Sequence, residues 1–298
     1  MAGPEIRKVA FFGLGIMGWP MAANLTKGGF EVSVWTHSDG KAERFASEHD
    51  ARAAATPAEA AEGADAAITM VVDAPEVREV LLGEQGAAGT LADGALVVDM
   101  STIAPTASKE IGAELNERGL AFVEAPVSGS IPKATDGTLT IMAGGEPEAF
   151  ERARPLFDVL GENIVHVGPQ GHGQLAKLLT NTMGAVNAGM LAEAVTVAER
   201  GGLDPDAFLE VAAGSAGASA MVALKGRPMF DHEFEPPLFK LEHMLKDVRH
   251  TLAEARALGV ELRLGGLAER LYSEAQAGGH GEEDFAAVVT AAEAANVA

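Results

Sequence analysis

Val9-Ala10-Phe11-Phe12-Gly13-Leu14-Gly15-Ile16-Met17-Gly18 is the stretch that decides the fold. Four consecutive apolar residues suit a strand buried on both faces, as in a parallel sheet. Three glycines follow in a Gly-x-Gly-x-x-Gly turn, and Met17 to Lys27 reads as a helix stopped by Gly28-Gly29. The pattern alone is weak in a chain with 35 glycines. Set between a buried strand and a helix, it has a physical purpose. Gly13 permits the tight turn, Gly15 lets a pyrophosphate approach the backbone, and Gly18 lets helix and strand pack closely. The helix N-terminus adds unpaired N–H groups and a positive dipole end. Gly13, Leu14, Gly15, Ile16, Met17 and Gly18 are therefore the expected contacts of a dinucleotide cofactor.

The pattern extends outward from this turn. Val32–Trp35, Ala67–Val72, Ala95–Met100, Ala121–Glu124, Thr138–Ala143 and Asn163–Val167 read as strands. Helices are expected between them at 41–49, from Thr56-Pro57 to about Gly63, and at 75–82, 105–118 and 147–160. This alternation predicts an α/β chain with a Rossmann-type, doubly wound, mainly parallel sheet. After the break Gly168-Pro169-Gln170-Gly171-His172-Gly173 the strand signal stops. Helices are expected at 174–201, 205–213, 238–258, 267–276 and 284–295, with a small-residue segment from Ala212 to Lys225 read as flexible. Residues 1–168 are thus expected to form the dinucleotide-binding domain. Residues 169–298 are expected to form an all-helical C-terminal domain.

Cofactor choice turns on the tip of the second strand. An acid there would hold the ribose 2′-hydroxyl of NAD. The chain instead has Thr36-His37-Ser38, with Asp39 too late and Lys41 near. This favours NADP, with NAD as the alternative; His37 reads equally well as a solvated loop residue. Val72 and Asp73 end the third expected strand and are further cofactor candidates. Ser101 and Thr102 end the fourth, at the edge where ligands bind in such sheets. They also read as a cap for the helix beginning at Pro105.

Composition removes several function classes. The 298 residues carry a formal net charge of −21, against a phosphate-binding basic face or an anionic membrane surface. There is no cysteine, so disulfides, thiolate nucleophiles and cysteine metal sites are absent. His166, His172, His232, His243 and His250 show no metal-ligand spacing, and no metal is expected. The apolar run after Met1–Lys8 is too short for a signal sequence, and no stretch approaches membrane-spanning length. A cytoplasmic protein is expected.

Four segments in order carry a more specific likeness. The glycine turn continues as Trp19-Pro20-Met21-Ala22-Ala23-Asn24-Leu25. Then come Glu124-Ala125-Pro126-Val127-Ser128-Gly129-Ser130, Gly171-His172-Gly173-Gln174-Leu175-Ala176-Lys177 with Asn181, and Lys246-Asp247. Together they resemble the signatures of the 3-hydroxyisobutyrate dehydrogenase-like β-hydroxyacid dehydrogenases, over nearly the whole chain. The resemblance implies hydride transfer between nicotinamide and a small, carboxylate-bearing 3-hydroxy acid or semialdehyde. It also implies a homodimer or homotetramer, with the helical domain serving substrate binding and dimerisation.

The same resemblance assigns roles. Lys177 is the general acid/base; in a closed cleft desolvation would lower its pKa toward working pH. The alternative is a surface lysine lying along an amphipathic helix. Asn181, one helical turn on, would hydrogen-bond the substrate hydroxyl or orient the lysine. Thr180 stands where the family has a first Asn. Ser128 and Gly129 form the carboxylate cradle, with Ser130 where the family has Gly and Glu124 where it often has Asp. Lys246 would meet cofactor or substrate, with Asp247 as its partner; the alternative is a solvated charge pair. Two other functions stay open. One is imine reduction on the same fold, against which Lys177 tells. The other is a non-catalytic NADP-binding module.

Overall fold

The computed structural model describes residues 6–295; Met1–Glu5, ahead of the first strand, lie outside them. The chain forms two compact units, Met1–Lys177 and Leu178–Ala298.

The first unit contains strands β1 (Lys8–Phe12), β2 (Glu31–Trp35), β3 (Ala51–Ala53), β4 (Ala66–Thr69), β5 (Leu96–Asp99), β6 (Ala121–Glu124), β7 (Val127–Ser128), β8 (Leu139–Gly145) and β9 (Gly161–Gly168). Its helices are α1 (Gly18–Lys27), α2 (Lys41–Glu48), α3 (Pro57–Ala61), α4 (Ala74–Leu82), α5 (Pro105–Glu117), α6 (Ser130–Asp136) and α7 (Pro147–Leu160). The strands make one sheet in the order β3-β2-β1-β4-β5-β6-β8-β7, with β9 beside β8. From β3 to β6 every neighbouring pair is parallel, and β8 turns antiparallel to β6. Strand order reverses between β1 and β4, the switch point where such sheets bind ligands.

The apolar run of β1 is buried on both faces, as its sequence predicts. Val9 and Phe11 join one core with Val34, Ile68 and Val98, covered by Met21 and Leu25 of α1 and Phe157 of α7. Ala10 and Phe12 join the other with Ala67, Val97 and Phe122, covered by Val77 of α4 and Ile111 of α5. Thr56 caps α3, its hydroxyl accepting the Glu59 N–H at 3.1 Å. The strand expected from Ala67 to Val72 ends at Thr69, because the chain leaves the sheet for the loop before α4. Strands β3 and β7 and helix α6 are additions to the sequence reading.

Helix α8 (His172–Arg200) carries the chain from the first unit into the second. There α9 (Pro205–Ala213), α10 (Ala220–Asp231), α11 (Leu241–Ala257), α12 (Arg263–Ala275) and α13 (Val289–Ala294) enclose a core that includes Val195, Phe230, Val248 and Tyr272. The segment expected from Ala212 to Lys225 to be flexible is helical at both ends: α9 runs to Ala213 and α10 begins at Ala220, leaving 214–219 between helices. Just beyond the segment, Leu209 of α9 fills the space where a Gly226 side chain would start. Lys225 is buried and ion-paired to Asp284, with Nζ 2.7 and 2.8 Å from the two carboxylate oxygens. Asp284 also accepts the N–H groups of Leu238 and Ala286, each at 2.9 Å.

Candidate active site

The three glycines of the turn are not equivalent. Gly13 has φ +98°, and a Cβ there would overlap the Met70 carbonyl oxygen; a Cβ on Gly18 would overlap the Gly13 carbonyl. Both are required by the chain itself. A Cβ on Gly15 would meet nothing within 4 Å. That open space beside the backbone is the cradle a pyrophosphate needs, so the residues present fit NAD(P). The Gly13 N–H donates to the Trp35 carbonyl at 2.9 Å and the Met70 N–H to the Phe12 carbonyl at 2.8 Å. These bonds tie the turn to the carboxyl ends of β2 and β4. Ile16 and Val72, 47% and 49% exposed, leave apolar side chains uncovered along this edge.

The other cofactor candidates follow the same ends of the parallel strands. Thr36, His37 and Ser38 follow β2, with Thr36 and Ser38 half-buried and His37 exposed. Asp73 follows β4 and caps α4, its carboxylate accepting the Ala74 N–H at 2.8 Å. Ser101 and Thr102 follow β5. The capping alternative for this pair is corrected: the N-cap of α5 is Ala104, without a side-chain bond. The buried Ser101 hydroxyl instead accepts the Val71 N–H at 3.0 Å, joining the ends of β4 and β5.

Ser128 pairs with Thr140 across β7 and β8 and opens the loop of the expected carboxylate cradle. Gly129 has φ +142° and Ser130 φ +56°, two successive positive values. The stem of Lys133 packs on Gly129, with its Cβ 2.6 Å from where a Gly129 Cβ would lie. Ser130 is held in the left-handed region that glycine prefers, which accounts physically for glycine being the residue expected there.

Behind this edge lies a buried polar network that the sequence reading did not assemble. Asp99 and Glu124 are register partners at the ends of β5 and β6, both fully buried. Asp99 accepts the Thr69 hydroxyl at 2.7 Å and the Ser101 N–H at 3.0 Å. Burial pushes its pKa up to about 6, the hydrogen bonds oppose the rise, and Glu124 adds to it. Burial also raises the Glu124 pKa, against hydrogen bonds from Ser108 and the backbone of Gln174, Gly171 and Gly173. Gln174 is buried and donates from Nε2 to the Ser101 carbonyl at 2.9 Å. Lys177 follows on the same helix, only 8% exposed, which corrects the surface-lysine alternative.

In the second unit Asn181 donates to Asp247 at 2.6 Å, and Lys246 Nζ lies 3.0 Å from the other carboxylate oxygen. Asp247 is buried and Lys246 half-buried, so the solvated-pair alternative is also corrected. Burial, then Lys246 and Lys240, hold the neighbouring His243 below the ordinary histidine range. Among the described residues no group of three or more His, Asp or Glu is arranged to hold a metal ion. No helix among them is long and apolar enough to cross a membrane.

A switch-point glycine turn with an open cradle, on a doubly wound sheet, fits a dinucleotide-binding protein. Residues 8–168 match the family described as "NAD binding domain of 6-phosphogluconate dehydrogenase". Residues 171–292 match that described as "NAD-binding of NADP-dependent 3-hydroxyisobutyrate dehydrogenase". The chain is 36% identical over 286 residues to the 2-hydroxy-3-oxopropionate reductase of Escherichia coli (strain K12), covering 96% of this chain and 97% of that protein. It is 36% identical over 289 residues to the NAD-dependent L-serine dehydrogenase of Pseudomonas aeruginosa, covering 95% and 97%. The crystal structure of 3-hydroxyisobutyrate dehydrogenase from Salmonella typhimurium matches with a TM-score of 0.88 at 30% identity, covering 95% of this chain and 99% of that one. The chain belongs to the 3-hydroxyisobutyrate dehydrogenase-like β-hydroxyacid dehydrogenase family. It is an NAD(P)-dependent oxidoreductase acting on CH–OH groups.

Proposed function

We propose that the chain interconverts a small 3-hydroxy acid and its semialdehyde, with Lys177 as general acid/base. The observation that carries this reading is the burial of Lys177. Burying a lysine ammonium is costly, so one held off the surface on α8 is better suited to proton transfer than to solvation. NAD(P)H, held by Gly13 to Gly18, Thr36 to Ser38, Val72, Asp73, Ser101 and Thr102, supplies the hydride. Lys177 gives a proton to the substrate oxygen in reduction and takes it back in oxidation. The Ser128 hydroxyl and the backbone N–H groups of Gly129 and Ser130 hold the substrate carboxylate. Asn181, oriented by Asp247, hydrogen-bonds the reacting oxygen, and Lys246 binds cofactor or substrate.

NADP is the preferred cofactor in this reading, because Thr36-His37-Ser38 offers no carboxylate to a ribose 2′-hydroxyl and Lys41 follows. The protein is a cytoplasmic homodimer or homotetramer. Leu179, Met183, Val186, Met190 and Val197 recur in steps of three, four and seven along α8, and all but the half-buried Val186 are exposed. Such a stripe suits the same helix face of a second copy. The residues division is a dinucleotide-binding domain of 1–168 and a helical substrate and dimerisation domain of 169–298.

The test is steady-state turnover of glyoxylate, succinic semialdehyde, methylmalonate semialdehyde and tartronate semialdehyde with NADPH and NADH, alongside light scattering. Lys177→Ala is expected to lower kcat on the best substrate by roughly 10²- to 10⁴-fold. Near-normal turnover in that variant would overturn the role of Lys177.

A further inference from the structure

Glu124 is fully buried at the end of β6, four residues before the expected carboxylate cradle. Its Oε1 accepts the Gln174 N–H at 3.1 Å, and the Ser108 hydroxyl donates to Oε2. Gly144 makes room for the carboxylate, and Gly173, pressed first by the Met142 carbonyl, does so less closely. A Cβ on Gly144 would lie 2.6 Å from Oε1, and one on Gly173 would lie 3.1 Å from it. Gln174 reaches the other way, donating to the Ser101 carbonyl at 2.9 Å and accepting the Ile103 N–H at 3.1 Å. Gln170 adds a bond from Nε2 to the Ser108 carbonyl at 2.6 Å. The first turn of α8 and the residues just before it are thus fastened to the ends of β5 and β6 and to α5.

Lys177 follows Gln174 by three residues, about 60° around the helix, so the two lie side by side on one face. Any slide or rotation of this first turn moves Lys177 by the same amount. Acid/base transfer is sensitive to such movement: a displacement of ~1 Å costs on the order of 10²-fold in rate.

We propose that Glu124 is a positioning residue for Lys177: its carboxylate, gripping the N-terminal turn of α8 through the Gln174 N–H, sets where the lysine presents its proton. The proposal rests on the reading of Lys177 as general acid/base.

Glu124→Leu keeps the bulk and removes the acceptor. It is expected to lower kcat by roughly 10- to 100-fold, while the dissociation constant for NADPH, measured by fluorescence, stays within about 3-fold. The solvent isotope effect on kcat should rise as proton transfer becomes limiting, and amide exchange should quicken over residues 172–178 but not in the later turns of α8. Glu124→Gln, which retains an acceptor oxygen, should restore kcat to within about 3-fold of the parent. In a Lys177→Ala background, Glu124→Leu should cost less than about 2-fold, since what it positions is gone.

An equal loss in both backgrounds, or loss of kcat and NADPH affinity together, would overturn the proposal. If Lys177→Ala itself turns over normally, the reading of Lys177 fails; faster amide exchange confined to 172–178 would still establish the grip. Should Glu124→Leu not fold, Gly144→Ala applies the same measurements by pushing a methyl against both Oε1 and the Gly173 N–H of α8 that lies beside it, and unchanged kcat in that variant would refute the proposal.

Discussion

Asp99 ends β5 as a carboxyl with no exposed surface, and its titration gives the fold a pH dependence that can be worked out in advance. Burial raises its pKa from 3.8 to about 6. A carboxyl raised on folding stabilises the folded state most below its unfolded pKa, and that contribution is lost as pH rises through about 6. The gap of about 2 pH units corresponds to ~3 kcal/mol in total. Of this, ~1.4 kcal/mol is lost between pH 5 and pH 8, the remainder falling below pH 5. Asp99→Asn cannot ionise, yet it keeps an acceptor for Thr69 and Ser101. Its amide nitrogen replaces Oδ2, which has no hydrogen-bond partner among the described residues. The unsatisfied donor therefore costs about 1–2 kcal/mol at every pH. Relative to the parent, the variant should gain ~1.4 kcal/mol from pH 5 to pH 8. Urea denaturation at pH 5, 6, 7 and 8, at constant ionic strength and without cofactor, reads this difference directly. Glu124 is present in both proteins, so its own titration largely cancels. A stability difference that stays constant across the range would refute the buried, late-titrating carboxyl.

Other perturbations separate folding from function. Gly15→Ala should leave unfolding free energy within ~0.5 kcal/mol of the parent, because its Cβ enters open space, yet weaken NADPH binding at least ~10-fold in a fluorescence titration. Intact affinity would mean that the pyrophosphate does not approach there. Ser130→Gly should raise stability by ~0.5–1 kcal/mol, since glycine accepts φ +56° without strain, and a lowered melting temperature would contradict this. Lys225→Met should cost ~3–5 kcal/mol in chemical denaturation by leaving Asp284 charged and buried alone; a loss below ~1 kcal/mol would show that Asp284 finds another partner.

Much of the first unit is legible in the sequence because its long elements announce themselves locally. β1 carries the apolar run Val9–Phe12 and β5 the run Leu96–Val98, and Pro57, Pro105 and Pro147 each sit at the start of a helix. The short elements are different. β3 has three residues and β7 two, and each exists through the strand beside it rather than through a pattern of its own. The candidate site divides in the same way. Residues just after strand ends, Ser101 and Asp73 among them, can be placed on the binding edge from order alone. Their hydrogen bonds could not be, for the Ser101 hydroxyl serves Val71, 30 residues earlier. Glu124 was visible as an acid in an apolar strand and as a departure from the resemblance. Its hold on Gln174, 50 residues later, depends on space left by Gly144 and Gly173, which only the folded chain brings together.

The inequality among Gly13, Gly15 and Gly18 has a consequence for how the turn would change over generations. Gly13 and Gly18 answer to the backbone that surrounds them, so any descendant keeping this sheet must keep them, whatever it does. Gly15 meets no such constraint from the chain, and in the proposed reading it answers only to the bound dinucleotide. In a lineage that gave up its cofactor, the outer two would persist and the middle one would drift. Selecting a mutant library first for folding and then for nucleotide binding should therefore fix these positions in two separate rounds.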